Sequence, residues 1–309
     1  MHCELVVPGL LAAAQGIRLP AAELILAKGR RTHSEPRSVE RWLQDAFELE
    51  GAAFPAGALT ILARGAAAPG EFWIRADPVH VQLMRDHLVA GAVSVSSEEA
   101  AALRDALNRH FAGRLELHVA DPLRWCARLA EPLELREDSP LGRSGGELRP
   151  GAPGEGLLNE IQMLLHAHPV NEAREARGEL PINSLWLWGA GPAPASAASS
   201  WQSVTADDPV ALGLAQAAKS RGRALPASAS AWLERLPEDG RHLLLLDAAA
   251  VAALEQAWFA PLLAALRSGR VGMLTVHVPD SRSGVSFETI RGDLRRFWRR
   301  PRPLATYEA

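Results

Sequence analysis

Apolar residues recur along the chain with two different periods, and each period predicts a different kind of element. An apolar face with spacings of three and four residues runs through residues 157–165, which predicts a helix. Pro169 ends that helix, because the residue before a proline avoids the helical backbone region. A capping box formed by Ser96 and Glu99 opens another helix, which extends to His110.

Continuous apolar runs predict strands that are buried on both faces, as in a parallel sheet. Such runs occupy residues 4–10, 243–246 and 271–278. Residues 115–119 and 125–129 instead alternate between apolar and polar, which predicts half-buried strands. The order strand, helix, strand, strand between about residue 55 and residue 135 predicts a small α/β lobe. The whole chain is therefore predicted to be an α/β protein.

The composition narrows the class of protein without identifying a function. The 309 residues carry a formal net charge of −3, which gives no electrostatic case for binding nucleic acid or an acidic membrane. No apolar run approaches the roughly 18 residues of a membrane-spanning helix. Cys3 and Cys126 are too few for a disulfide framework. These features predict a cytoplasmic protein with two reduced thiols.

Residues 156–191 hold the most informative motifs. Polar side chains crowd the joint between two predicted helices, and a short predicted strand at 184–188 ends in a Gly-x-Gly sequence. A strand that ends in this way can deliver a loop to the ligand-binding edge of an open sheet, or it can simply turn the chain. The candidates for ligand binding are His168, Asn171, Arg174, Asn183, Gly189 and Gly191. The alternative for the polar joint is that it satisfies the ends of two helices.

The order of motifs in this stretch resembles a known family. His-Pro-Val-Asn from His168, then Arg174, Pro-x-Asn ending at Asn183, and Trp-Leu-Trp-Gly-x-Gly ending at Gly191 resemble the archaeal-type, cofactor-independent phosphoglycerate mutases of the alkaline phosphatase superfamily. The stretch is still more similar to bacterial proteins described as phosphoglycerate mutase or Rpf-type regulatory protein. The resemblance implies a degenerate alkaline-phosphatase-like core sheet with helices on both faces and an inserted smaller α/β lobe.

The resemblance also implies a division of the chain. The core is predicted to comprise residues 1–50 and 184–309, and the lobe is predicted to comprise residues 51–183. Residues 138–156 contain three prolines and six glycines without apolar periodicity, which predicts a flexible loop inside the lobe.

The family carries a two-metal site, and this sequence departs from that pattern. The family's first strand ends in Asp-Gly, whereas this chain reads Val-Pro-Gly-Leu at residues 7–10, and proline cannot bind a cation. The expected nucleophilic Ser or Thr and the Asp-His pairs are not found. The remaining weak candidates for metal ligands are Asp247, His277 and Asp280.

Two further segments allow two interpretations each. Asp77 and His80 invite a metal hypothesis, whereas turn chemistry explains Asp77 followed by proline. Residues 290–302 hold six arginines around Phe297 and Trp298. These arginines predict either a site for a phosphorylated or acidic partner, or a solvated helix face flanking a buried aromatic pair.

We therefore predict a phosphoglycerate-mutase-like pseudoenzyme that has lost the two-metal site, needs no cofactor and acts as a cytoplasmic regulatory or ligand-binding protein. Its expected partner is a small phosphorylated ligand or a regulatory protein. The first alternative is an active phosphomutase or phosphatase that uses Mn or Zn, with ligands drawn from Asp77, His80, Asp247, His277 and Asp280. The second is a metal-independent enzyme built around His166, His168, Asn171 and Arg174.

Overall fold

The structure is a computed structural model that describes residues 1–51, 53–66, 70–84, 87–133, 135, 146–148, 154–235, 239–280 and 284–307. The chain forms two compact units. Unit 1 comprises Met1–Glu48 and Ala197–Ala309, and unit 2 comprises Leu49–Ser196. Within the described ranges, no helix is long and apolar enough to cross a membrane.

The strands are, in chain order, β1 (His2–Val6), β2 (Arg30–Ser34), β3 (Phe72–Met84), β4 (His87–Gly91), β5 (Leu115–Asp121), β6 (Arg124–Leu129), β7 (Gly146–Leu148), β8 (Ser184–Pro192), β9 (Ser203–Thr205), β10 (Arg221–Arg223), β11 (Arg241–Leu245), β12 (Met273–Val278) and β13 (Gly284–Ile290).

The α-helices are α1 (Leu10–Ala13), α2 (Pro20–Lys28), α3 (Val39–Ala46), α4 (Ala56–Leu62), α5 (Ser97–His110), α6 (Glu155–His166), α7 (Pro169–Ala176), α8 (Pro209–Ala217), α9 (Ala229–Glu234), α10 (Val251–Leu254) and α11 (Ala260–Ser268). A π-helical segment, Glu255–Phe259, joins α10 to α11, and 3-10 turns occupy Arg291–Arg295 and Leu304–Tyr307.

Unit 1 is built on a sheet with the strand order β10-β9-β11-β1-β12-β13-β2. The strands from β10 to β12 pair in parallel, and β13 and β2 extend the sheet in antiparallel pairings. The strand β1 lies between β11 and β12 in the middle of this sheet, and helices on both faces of such a sheet explain why its apolar run reads as buried. The prediction of an α/β fold is confirmed.

The two faces of this sheet differ in polarity. Cys3, Leu5 and the β11 residue Leu244 lie in the main apolar core of unit 1, which α2, α9 and α11 cover. The opposite face carries His2 and Glu4 on β1, with helices packed there as well. Trp42 of α3 contacts His277 on this face, and α8 packs against β10. The sheet therefore has helices on both faces.

Unit 2 contains a second sheet with the order β5-β6-β3-β4-β7, and β8 pairs with β3. Its core is formed by the inner faces of β3, β5, β6 and β8 together with α5 and α6. The Ser96 hydroxyl accepts a hydrogen bond from Glu99 N at 3.1 Å, and the Glu99 carboxylate accepts one from Ser96 N at 2.9 Å. The predicted capping box, and the helix that it opens to His110, are confirmed.

Three predictions about local structure in unit 2 are wrong. Asp77 and Pro78 do not form a turn, because β3 runs through both and pairs with β8. The strand from Ser184 continues through Gly189 and Gly191 instead of ending before them. This strand pairs with β3 inside unit 2, whereas we assigned it to the core that contains β1.

The predicted loop at residues 138–156 lies largely outside the described residues. Its described parts are ordered as secondary structure. Residues 146–148 form β7, which pairs with β4, and α6 begins at Glu155.

The arginine-rich segment near the end of unit 1 also differs from the prediction. A 3-10 turn occupies Arg291–Arg295, and no α-helix follows within the described residues up to 307. Phe297 is 82% exposed and Trp298 is 65% exposed, so the predicted buried aromatic pair is wrong. Arg296 and Arg299 instead donate hydrogen bonds to backbone carbonyls at the end of α2, which fixes this segment on unit 1.

Candidate functional site

The carboxyl edge of the parallel strands in unit 1 is where ligands bind in open α/β sheets, and it is the place to look for the metal ligands that the resemblance implies. Val6 of β1 is in register with Leu245 of β11 and with His277 of β12, so the ends of the three strands lie side by side. After β1 the chain continues through Val7, Pro8 and Gly9, none of which has a side-chain ligand. Val7 N donates to the His277 carbonyl at 2.9 Å, which continues the sheet where a ligand loop would begin.

Asp247 and Asp280 follow the neighbouring strands at the same edge. The Asp247 carboxylate accepts a hydrogen bond from Ala249 N at 2.8 Å and thereby closes a local turn. The Asp280 carbonyl accepts a hydrogen bond from Arg37 N at 3.0 Å. Across the described ranges, no three His, Cys, Asp or Glu side chains are grouped so that they could hold a metal ion.

His277 belongs to a buried polar network on the sheet face rather than to the strand ends. Its Nε2 lies 3.3 Å from Glu4 Oε2, and its Nδ1 lies 2.8 Å from Ser286 Oγ. On the other side, Arg241 donates to Glu4 Oε1 through Nε at 3.0 Å and Nη2 at 2.8 Å. His2 Nε2 lies 3.0 Å from Thr275 Oγ1, so Thr275 and His277 point to one face, as their alternation predicts.

Glu4 is the charged centre of this network, and its side chain is 5% exposed. Burial raises the pKa of this carboxyl group, but hydrogen bonds from His277 and Arg241 outweigh the burial and hold the pKa at about 2. For His2, burial is the main cause that lowers the pKa below its usual value, although Glu4 acts in the opposite direction. Glu4 is therefore a carboxylate that is ionised at neutral pH and has partners on both oxygens.

The three hydrogen-bonded side chains of Ser286, His277 and Glu4 are of the residue types found in a hydrolase triad. Their position inside the sheet does not suit nucleophilic catalysis. Ser286 lies inside β13, and its neighbours in register are His277 on β12 and Thr32 on β2. Backbone amides in a strand that is paired on both sides serve the sheet. They cannot also stabilise an oxyanion, and acyl-transfer chemistry needs such donors. The geometry therefore supports a structural role for these three side chains.

The ligand-binding candidates within residues 156–191 all lie in unit 2, and three of them bind backbone groups. Asn171 donates to the Leu165 and Ile182 carbonyls and accepts from Ile182 N. Asn183 binds the N–H and the carbonyl of Val81. His168 is the N-cap of α7, where its Nδ1 accepts from Val170 N at 3.2 Å. The Asn171 bonds join α6 and α7 to the segment before β8, and the Asn183 bonds join that segment to β3. This arrangement is the structural alternative raised by the sequence.

Arg174 is 2% exposed and serves the same joint. It donates to the Leu180 carbonyl at 2.9 Å and to the Glu99 carboxylate at 2.9 Å. Gly189 has φ +60°, and a β-carbon there would lie 2.5 Å from the Ala56 Cβ. This glycine therefore permits the close approach of α4 to β8. A role in ligand binding for the candidates within residues 156–191 stays a prediction.

Asp77 is likewise enclosed. It accepts hydrogen bonds from Arg75, from Trp125 N at 3.2 Å and from Trp188 Nε1 at 2.8 Å. Burial raises the pKa of Asp77, and these partners act in the opposite direction. His80 Nδ1 lies 2.9 Å from the Pro181 carbonyl. Both side chains are thus occupied by contacts within unit 2.

A cleft that the sequence analysis did not identify lies at the amino ends of β9, β10 and β11 in unit 1. Its volume is about 510 Å³. It is lined by Gln202, Ser203, Lys219, Ser220, Arg221, Arg223 and His242. Ser203 is in register with Arg221 on one side and with His242 on the other, so parallel pairing brings these distant segments together. The one signal in the sequence is three cations among the five residues of Lys219–Arg223, a range that also contains Gly222.

Comparison with known proteins finds a short sequence match and a broader structural one. No family model matches the chain. Over 38 residues, the chain is 47% identical to the 2,3-bisphosphoglycerate-independent phosphoglycerate mutase of Methanothrix thermoacetophila. It is also 47% identical over 38 residues to the probable enzyme of that name from Geobacter sulfurreducens. Each match covers 12% of this chain but only 10% of the relative's length.

Among solved structures, the PH0037 protein of Pyrococcus horikoshii superposes with a TM-score of 0.58 and 13% identity, over 93% of this chain and 87% of that one. A cofactor-independent phosphoglycerate mutase from Thermoplasma acidophilum superposes more loosely, with a TM-score of 0.47 and 18% identity. That superposition covers 94% of this chain and 90% of the other. The chain thus shares its fold with the PH0037 protein, and the short sequence match supports a distant relationship to the phosphoglycerate mutases.

Proposed function

We propose that this protein is a phosphoglycerate-mutase-like regulatory protein that binds a small phosphorylated ligand and has lost the two-metal phosphotransfer chemistry. The short match to phosphoglycerate mutases supports the ligand class. The chemistry of the side chains at the carboxyl edge of the unit 1 sheet supports the loss of catalysis.

The observation that carries this proposal is the set of donors at that edge. A two-metal site needs several oxygen and nitrogen ligands on neighbouring strand ends, because the two cations share the attacking and leaving oxygens. The end of β1 supplies Val7, Pro8 and Gly9, which offer no side-chain donor. Asp247 caps a turn, and His277 binds Glu4 and Ser286. These residues do not fit a pair of Mn or Zn ions.

Thermal unfolding of the purified protein tests the proposal. The protein is heated with 3-phosphoglycerate and related phosphoesters, each with Mn²⁺ and with EDTA. A ligand at 100 times its dissociation constant stabilises a protein by about 2.7 kcal/mol, which raises the unfolding midpoint by several degrees. We expect a rise with a phosphoester in EDTA. The absence of a rise with every phosphoester would contradict the proposed ligand class and favour a protein partner.

The second candidate function is an active metal-dependent phosphomutase or phosphatase that acts on a small phosphoester. The 47% identity over 38 residues to two phosphoglycerate mutases favours it. This function requires that Mn²⁺ or Zn²⁺ co-purify with the protein, and that stabilisation by the phosphoester depend on that metal. Metal analysis of the purified protein, combined with the same unfolding experiment, separates the two candidates.

A further inference from the structure

The cleft at the amino ends of β9, β10 and β11 has the properties of an anion site. Lys219, Arg221 and Arg223 line it, and no acidic side chain does so among the residues that the structure describes. Within the described part of the chain, none of these three cations forms an ion pair. Unpaired cations around a concave surface raise the local concentration of anions and favour their binding. On the opposite face of the sheet, by contrast, the cation Arg241 is paired with Glu4.

His242 supplies an independent indication of a ligand. The residue is 1% exposed, and its Nδ1 lies 2.8 Å from Ser203 Oγ. Its Nε2 is buried and has no hydrogen-bond partner among the described residues. The Arg223 Nε is likewise buried and has no hydrogen-bond partner among the described residues. A buried polar atom without a partner costs about 1–3 kcal/mol, so an oxygen atom of a ligand that reaches either nitrogen recovers that cost.

Two neighbouring side chains hold the His242 ring in place. Trp232 packs edge-to-face with the ring at a centroid distance of 6.1 Å and fixes its plane. Ser203 contacts one ring nitrogen, and the other nitrogen has no hydrogen-bond partner among the described residues.

The surroundings and size of the cleft define the class of ligand. The carboxyl end of α8 contributes partial negative charge near Lys219, and the Lys219 ammonium offsets that charge. The two arginines match the geometry of phosphate oxygens. A cleft of about 510 Å³ lies within the usual range for small-molecule sites.

We propose that this cleft binds the phosphoryl group of a small phosphorylated molecule, with Arg221, Arg223 and Lys219 as its cationic contacts and His242 as a buried polar contact. The inference rests on the proposed function, because it names the place where that ligand binds. The site lies at the amino ends of the parallel strands, whereas Asp247 and Asp280 lie beyond the carboxyl ends of β11 and β12.

Isothermal titration calorimetry in EDTA tests this site with three probes: 3-phosphoglycerate, inorganic phosphate and glycerate. The variants are Arg221→Ala, Arg221→Lys and the double change of Arg221 and Arg223 to Ala. Arg221 is exposed, so its truncation removes charge without opening the core. Arg267→Ala is the matched control, since Arg267 is an exposed arginine of unit 1 that does not line the cleft.

We expect 3-phosphoglycerate and inorganic phosphate to bind the wild-type protein, and glycerate to bind far more weakly. Arg221→Ala should weaken the binding about tenfold, since a hydrogen bond to a charged group contributes about that factor. Arg221→Lys should restore part of the loss, and Arg267→Ala should leave the affinity unchanged. Binding by the wild type with equal affinity in the double variant would overturn this site but leave the proposed function standing. Absence of binding by the wild type would overturn both.

Discussion

Glu4→Gln tests whether the polar network around β1 stabilises unit 1 through charge. The network lowers the pKa of Glu4 from 4.5 to about 2. Such a shift corresponds to about 3.4 kcal/mol at 1.36 kcal/mol per pKa unit. Arg241 is 46% exposed, and solvent screens its charge, so we expect a net contribution of about 2 kcal/mol at neutral pH.

The sign of the pH dependence follows from the direction of the shift. A carboxyl group whose pKa is lowered by folding stabilises the protein above its unfolded pKa, and that stabilisation disappears as the pH falls through the folded pKa. The free energy of unfolding of the wild type should therefore exceed that of Glu4→Gln at pH 7. The difference should narrow between about pH 4.5 and about pH 2.

Urea unfolding at a series of pH values, followed by tryptophan fluorescence, measures this difference. Glu288→Gln is the matched control. Glu288 pairs with Arg30 on the same sheet face, but the two side chains are 37% and 72% exposed. An exposed pair contributes about 0–1 kcal/mol, so the control should change little. Equal stability of Glu4→Gln and the wild type at pH 7, or a difference that persists unchanged to pH 2, would refute the reasoning.

Further predictions concern the joint in unit 2 and the two thiols. Arg174→Ala should lower the free energy of unfolding by about 3 kcal/mol in urea unfolding, because it breaks a buried ion pair. It should leave the affinity for 3-phosphoglycerate unchanged. Gly189→Ala should lower the thermal midpoint more than Gly178→Ala, since both have positive φ but only Gly189 would meet a neighbour. Burial raises the pKa of Cys3 and of Cys126 to about 12, so neither should react with a thiol reagent at pH 8 in the folded protein.

Each of these predictions has a specific outcome that contradicts it. A loss of ligand affinity in folded Arg174→Ala protein would assign that residue to a binding site. Equal midpoints for the two glycine variants would show that α4 yields to a methyl group at Gly189. Fast modification of either thiol in the folded protein at pH 8 would show that the thiol is not buried as the structure describes.

The sequence predicted those elements whose signals are local. The capping box at Ser96 and the proline at position 169 fix helix boundaries through contacts within a few residues, and both boundaries are found. The apolar run of β1 predicted a buried strand because a central strand of a parallel sheet is covered by helices on its faces. Asp77-Pro78 misled the prediction, since pairing with β8 over seven residue pairs overrides the local turn preference.

The cleft could not be predicted in the same way. Ser203, Arg221 and His242 are distant in sequence, and they meet only because β9 pairs in parallel with both β10 and β11. His277 was recognised as a polar residue on a central strand, but its partner Glu4 lies 273 positions away. Periodicity identifies the face that a side chain takes, and only the strand order identifies the side chains that it meets.

The most direct test of the central claim is ³¹P NMR of 3-phosphoglycerate incubated with the protein. One sample contains EDTA throughout. The other is incubated for a long time with Mn²⁺, which is removed by chelation before the spectrum is recorded. A phosphoglycerate-mutase-like protein without two-metal chemistry should shift or broaden the 3-phosphoglycerate resonance in EDTA. It should also produce no 2-phosphoglycerate in either sample. A 2-phosphoglycerate resonance that appears only after incubation with Mn²⁺ would contradict the account and establish a metal-dependent mutase.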